Sequence, residues 1–198
     1  MDSCKKYCGL DISTSCIGIA ILQDNKIIFQ ESYFPTYEKT RNLEYEAWKF
    51  SEHFENIYRE FLPHEVILES PMKKFRTGLS SAHVISLLNR FHGMISFVVY
   101  NIEKDHKLKT CSKDIPNKNS FFKVTEVQLL EVKTARKLIN FKKKTKDIKK
   151  DVTDYVFSFF PEFKINYTKK GNLKKGIADV ADAVVLAWAK EKEKNDNL

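Results

Sequence analysis

Hydrophobic and polar positions along the chain follow two periods, near two and near three and a half, and their succession predicts an α/β protein. Residues 6–12 form an apolar run broken only at Asp11, and Ser13-Thr14-Ser15 turns the chain into a second apolar run, 16–22. Asp24-Asn25 is a further turn before a third strand, Lys26 to Phe34, so the first three strands read as an antiparallel meander. Between Arg41 and Leu62 the period lengthens: Leu43, Ala47, Phe50, Phe54, Ile57 and Phe61 alternate spacings of four and three, the stripe of an amphipathic helix. Pro63-His64 stops that helix, and Glu65 to Glu69 is a short strand expected to run parallel to the first after a helical crossover.

A second long helix is predicted from Leu79 to Tyr100, and a polar stretch, 103–123, reads as a surface insertion. Val124 to Val132 is a strand candidate, Val152 to Phe160 a helix, and Pro161 to Lys175 a basic loop. The last helix, Gly176 to Trp188, carries Ile177, Ala181, Val184, Val185 and Trp188 at helical spacing, with a polar tail expected over 191–198. The expected architecture is one domain over 1–198, a mixed five-stranded sheet with helices on both faces.

Composition narrows the setting. With 198 residues the chain can bury a substantial core, and its 6 Gly and 5 Pro argue against long flexible linkers. A formal charge of +8 favours polyanionic partners, because Lys and Arg neutralise phosphates and release counterions. Cys4, Cys8, Cys16 and Cys111 lack the spacing of a disulfide scaffold or a zinc site and read as free or buried thiols. No apolar signal core and no run of 18 apolar residues is present, so a soluble intracellular protein with no membrane partner is expected. His83 and His92 are nine residues apart, which is not ligand spacing on a helix, and read as packing or surface residues.

Four carboxylates interrupt apolar patterns. Asp11 and Glu69 end strands that should lie side by side, where the C-terminal ends of parallel strands form a ligand crevice. Asp179 and Asp182 are three apart and share one helix face. Two readings stand for that pair: charges that complement the helix dipole, at about 0.3–1 kcal/mol each, or part of a cation site. With Asp11 and Glu69 the second gains weight, since convergent carboxylates suit hard divalent ions, above all Mg²⁺. Two such ions, about 3.5–4 Å apart, support in-line phosphodiester hydrolysis. The basic run from Lys142 to Lys150, opening onto a helix, is a solvated face or a phosphate grip, and the second is favoured.

In this order the motifs resemble the RuvC family of Holliday junction resolvases, within the ribonuclease H-like fold. Gly9, Asp11, Ser13 and Gly18 match a first strand reading Gly-x-Asp, then a small residue, then a Gly seven beyond the Asp. Ile67-Leu68-Glu69 matches the Glu that closes a hydrophobic strand, and Asp179, Asp182 and Ala183 match Asp-x-x-Asp-Ala on the C-terminal helix. Lys149 to Val152 resembles the family's Lys-x-x-Val. The resemblance implies a homodimer that nicks two opposed strands of a four-way DNA junction, leaving 5′-phosphates, with two Mg²⁺ per site and Mn²⁺ as the alternative ion. No organic cofactor is implied.

On that resemblance Asp11 would bridge both ions, Glu69 and Asp182 would complete their shells, and Asp179 would bind or orient the attacking water, the last three being interchangeable. Lys73, Lys74, Arg76, Arg136, Lys137, Lys143, Lys144, Lys146 and Lys149 would contact DNA, with Phe75 (or Met72) as a wedge at the junction centre. The helix from Leu79 to Tyr100 would carry much of the dimer interface. Ile12 stands where bacterial members usually have Pro, Ser13 where many have Gly, and 103–123 is longer than the compact bacterial form. With the Lys/Asn/Phe-rich composition these departures suggest a viral or phage member and put strict four-way selectivity in doubt. A flap or RNA–DNA hybrid nuclease of the same fold, a non-catalytic junction- or RNA-binding module and a structural protein with capping acids are the competing readings.

Overall fold

The computed structural model describes residues 5–35, 42–71, 82–111 and 127–195. Strands β1 (Lys6–Ile12), β2 (Ile17–Gln23) and β3 (Lys26–Tyr33) form the expected antiparallel meander. Asp24 and Asn25 hold left-handed backbone at φ 52° and 56° in the β2–β3 turn, a conformation that their short polar side chains tolerate. Helix α1 (Leu43–Phe61) begins on Asn42, whose side chain accepts from the Tyr45 N–H, and leads into β4 (Glu65–Glu69). β4 pairs parallel with β1, and β5 (Gln128–Leu130) pairs parallel with β4, so the sheet order is β3-β2-β1-β4-β5. The mixed five-stranded sheet is the one expected.

The inner strands β1, β2 and β4 are buried on both faces, and the period of two divides them. Cys8, Leu10, Ile12, Ile19, Ile21 and Leu68 pack with the α1 stripe and with helix α2 (Ala82–Cys111). Tyr7, Ala20, Leu22 and Ile67 face the other way, onto α3 (Val132–Leu138), α4 (Ile148–Phe159) and α5 (Ile177–Asn195). Asp11 shares its parity with Tyr7, and Glu69 with Ile67, so both acids are committed to the α5 side.

Two glycines set how closely α5 lies. A Cβ on Gly9 would fall 2.0 Å from the Ala183 carbonyl oxygen, and one on Gly18 would fall 2.2 Å from that of Asp179. The helix backbone therefore rests directly on β1 and β2, which no larger residue at either position permits. Ala181, Ala183 and Ala187, all fully buried, keep the helix side of that contact equally thin.

Several boundaries differ from the expectation. α2 does not stop at Tyr100. It continues to Cys111 through half of the presumed insertion at 103–123, because Ile95, Val99 and Ile102 prolong its buried stripe and Glu103 is buried too; residues 112–126 lie outside the described ones. By length and composition Ala82–His106 is apolar enough to cross a membrane, yet Phe91, Ile95 and Val99 are fully buried in the core. Of the strand expected over Val124–Val132, the described residues give β5 at Gln128–Leu130, and Val132 already begins α3. α4 starts at Ile148 rather than Val152, capped by Asp147, whose side chain accepts from Lys150 N–H. Nor is 191–195 a tail: Glu191 is buried and accepts the Asn25 N–H at 3.0 Å, while Lys190 and Lys194 pair with Glu65.

Candidate active site

The site grows from the C-terminal ends of β1 and β4. Leu10 is paired with Leu68, so the next residues out are Asp11 and Glu69, side by side and on one face. Their carboxyls hydrogen-bond to each other. Across the sheet Asp11 is in register with Gly18, the residue on which the Asp179 carbonyl rests. That contact sets the first turns of α5, with Asp179 and Asp182, over Asp11.

The electrostatics record the convergence. Asp11, 9% exposed, is pushed well above the ordinary carboxylate range by burial first, then by the hydrogen bond and charge of Glu69, then by the charges of Asp182 and Asp179. Asp182, also 9% exposed, is raised by burial; the charge and hydrogen bond of Arg136 oppose that, and Glu69 adds to it. Asp179 is answered by Lys149, 3.5 Å away. All four acids expected from the sequence therefore lie within electrostatic reach of one point.

Arg136, read from the sequence as a DNA contact, faces inward. Its Nη2 donates to both oxygens of Asp182, at 2.7 and 2.9 Å, from the middle of α3. Its Nε is buried without a hydrogen-bond partner. Lys137, Lys143, Lys144, Lys146 and Lys149 are exposed. Lys73, Lys74, Phe75 and Arg76, with Met72, lie outside the described residues.

Three further residues support the site and carried no signal in the sequence. Cys16 is fully buried and hydrogen-bonds to Asp179; burial and then the Asp179 charge push its thiol up to about 12, so it stays protonated and can donate. His92, buried on α2, sets its Nε2 against the Glu69 carbonyl, and Ser96 Oγ lies 3.3 Å from its Nδ1. A carbonyl only accepts, so Nε2 carries the proton and pins the end of β4. Asp151, buried at the start of α4, accepts from the backbone N–H of Lys144 and Thr145 and from Thr145 Oγ1 at 2.7–2.9 Å. These bonds, the Thr145 N–H foremost, hold its carboxyl below the ordinary range and fold the lysine loop over the helix start.

An all-carboxylate donor set with surplus negative charge fits a hard divalent ion better than a soft one. Among the described residues, however, no three acidic, histidine or cysteine side chains stand close enough to enclose an ion in this arrangement. Asp182 is paired with Arg136 and Asp179 with Lys149, so positive charge from the protein itself meets half of the acids.

No protein-family model and no curated protein matches the chain. Solved structures do. One is described as T. thermophilus RuvC in complex with Holliday junction substrate, with a TM-score of 0.62 at 10% identity, covering 97% of this chain and 96% of that one. Another, described as the Thermus thermophilus RuvC structure, gives a TM-score of 0.60 with the same identity and coverage. The likeness carries no sign of a viral or phage origin. It extends over nearly the whole of both chains and, at that identity, it is a likeness of fold.

Proposed function

We propose that the protein is a divalent-metal-dependent DNA endonuclease that resolves four-way junctions by nicking opposed strands. One observation carries the reading: acids from β1, β4 and α5 converge so that three others act on the protonation of Asp11. A fold needs no such repulsion for stability. It is tolerated where a cation is to be held. The shared fold with a protein solved on a Holliday junction supports the choice of branched DNA.

In this reading Asp11, Glu69, Asp179 and Asp182 would hold Mg²⁺, which supplies an activated water and charge for the leaving oxygen. The protein's own groups do the rest. Arg136 and Lys149 offset Asp182 and Asp179 in the metal-free protein and turn toward the scissile phosphate when the acids are otherwise engaged. Lys137, Lys143, Lys144 and Lys146 hold neighbouring phosphates, and the Cys16 thiol and the His92 Nε2–H fix the orientation of Asp179 and the end of β4. A homodimer places two such sites against opposed strands.

The test is a labelled four-way junction incubated with Mg²⁺ or with chelator, beside linear duplex, flap and RNA–DNA hybrid. Symmetric, metal-dependent nicks that vanish in Asp182→Asn while junction binding persists are expected. Preferential cutting of flap or hybrid would keep the acids and replace the substrate. Tight junction binding with no cut in either Mg²⁺ or Mn²⁺ would sink the catalytic reading and leave a binding module.

A further inference from the structure

A cleft of about 760 Å³ opens beside the acids, and of the four only Asp179 lines it. Its floor is the Ser13–Ser15 turn and the first turn of α5, and one wall is the start of α4 with Lys149 and Lys150. The other wall is a small hairpin inside the segment expected as a basic loop. Tyr167 and Leu173 form an antiparallel bridge, Thr168 N–H donates to Asn172 O, Lys174 N–H to Asn166 O, and Gly171 turns the chain at φ +79°. Leu173 packs onto the core, and Gly176, where a Cβ would meet Ser32 Oγ at 2.5 Å, seats the hairpin's exit on β3. The hairpin is thus anchored at its base, and it presents Tyr167 to the cleft with its side chain 49% exposed.

The chemistry of the lining is specific. Lys149 and Asp179 answer each other, which leaves Lys150, Lys174 and Lys175 against the one carboxylate of Asp147, the cap of α4. Surplus positive charge around one accessible aromatic ring is what a nucleotide requires: a cation for its phosphate and a π-face for its base. A ring inside a duplex is already stacked on both sides and cannot use Tyr167, so the base must be unpaired.

We infer that the Tyr167 cleft receives one unpaired nucleotide of a DNA strand beside the acids, its base stacked on Tyr167 and its phosphates held by Lys150 and Lys174. The inference rests on the nuclease reading and deepens it, because it makes a splayed nucleotide next to the cut part of the substrate.

The experiment measures fluorescence anisotropy of a labelled single-stranded oligothymidylate and of a blunt duplex in chelator, for the wild type, Tyr167→Ala, Tyr167→Phe and Lys150→Ala/Lys174→Ala. Tyr167→Ala should weaken single-strand binding roughly tenfold, the scale of one lost base–aromatic stack, and leave the duplex within twofold; Tyr167→Phe should bind as the wild type. The double lysine variant should lower the salt slope on the single strand by about 1.4, since each phosphate contact contributes about 0.7. Tyr167 is half exposed, so these variants fold, and a melt checks it. If Tyr167→Ala binds the single strand as the wild type does while the wild type still cuts junctions, the cleft assignment falls and the nuclease reading stands. If the wild type neither binds nor cuts any DNA, both fall.

Discussion

Asp11 is the residue on which the physical reading turns. Its carboxyl is raised because burial and three neighbouring acids oppose its charge. A raised carboxyl adds stability below the ordinary carboxylate range, near 4, and that stability is lost as pH rises through its folded value. In the metal-free protein, Asp11→Asn removes the repulsion, so it should melt higher than the wild type at pH 7, on the scale of roughly 2–4 °C for each 1 kcal/mol relieved in a chain of this size. The gap should close on acidification to about pH 4, and Mg²⁺ should raise the wild-type midpoint more than the variant's. A thermal melt series across pH in chelator and in Mg²⁺ checks this; a variant that melts lower at pH 7 would mean that Asp11 is structural. The acids were legible in the sequence because a charge inside an apolar run costs free energy and demands a reason. Cys16 and His92 were not, since a buried thiol or imidazole in an apolar context looks like core. The Arg136–Asp182 pair was hidden for another reason: 46 residues separate the partners, and only the packing of α3 against α5 brings them together.

At the scale of elements, period and turn chemistry foretold β1 to β4 and α1 almost to the residue, because β1, β2 and β4 are short apolar runs between clear turns and α1 has one clean buried stripe. The ends of α2 and α5 were missed for a shared cause. Both run on through charged residues whose burial or pairing is set from elsewhere: Glu103 in the core, Glu191 on Asn25 N–H, Lys194 on Glu65. Gly9 and Gly18 did carry a signal, since glycine inside a strand marks close backbone approach, but not which helix approaches. The lysine loop is the element whose order depends on one side chain. Asp151 gathers Lys144 and Thr145, and because those bonds lower its carboxyl, its contribution is present above about pH 4 and fades as pH falls through the folded value. Asp151→Asn should therefore melt lower than the wild type at pH 7 and converge with it as pH falls through that lowered value. If the loop grips phosphates, the same variant should bind junction DNA several-fold more weakly, with a salt slope lower by about one or two, near 0.9 for each lost contact. Unchanged affinity and slope would leave Lys143, Lys144 and Lys146 as a solvated face.

For the whole molecule the open quantity is how many copies act together. On the proposed function, cuts on opposed strands need two sites, and the four acids build one. α2 offers the surface: it is apolar enough to pass for a membrane helix, yet Phe97 is 66% exposed and Gly93 beside it has nothing within 4 Å of where a Cβ would stand. A bare aromatic next to an open glycine is a patch on which a second helix can approach closely. A stable pair needs about 1,200–2,000 Å² of total buried surface, for which the 30-residue length of α2 is ample. Phe97→Glu puts a charge at the centre of that patch without touching the core, so the fold and the melt should survive. Light scattering on the eluting protein should shift from a dimer mass to a monomer mass near 23 kDa. On a junction tethered to a cruciform plasmid, paired cuts that linearise the circle should give way to single nicks that only relax it, because the second strand then waits for a separate encounter. A wild type that runs as a monomer and still linearises the plasmid would remove α2 from the interface and require both cuts to come from one site in turn.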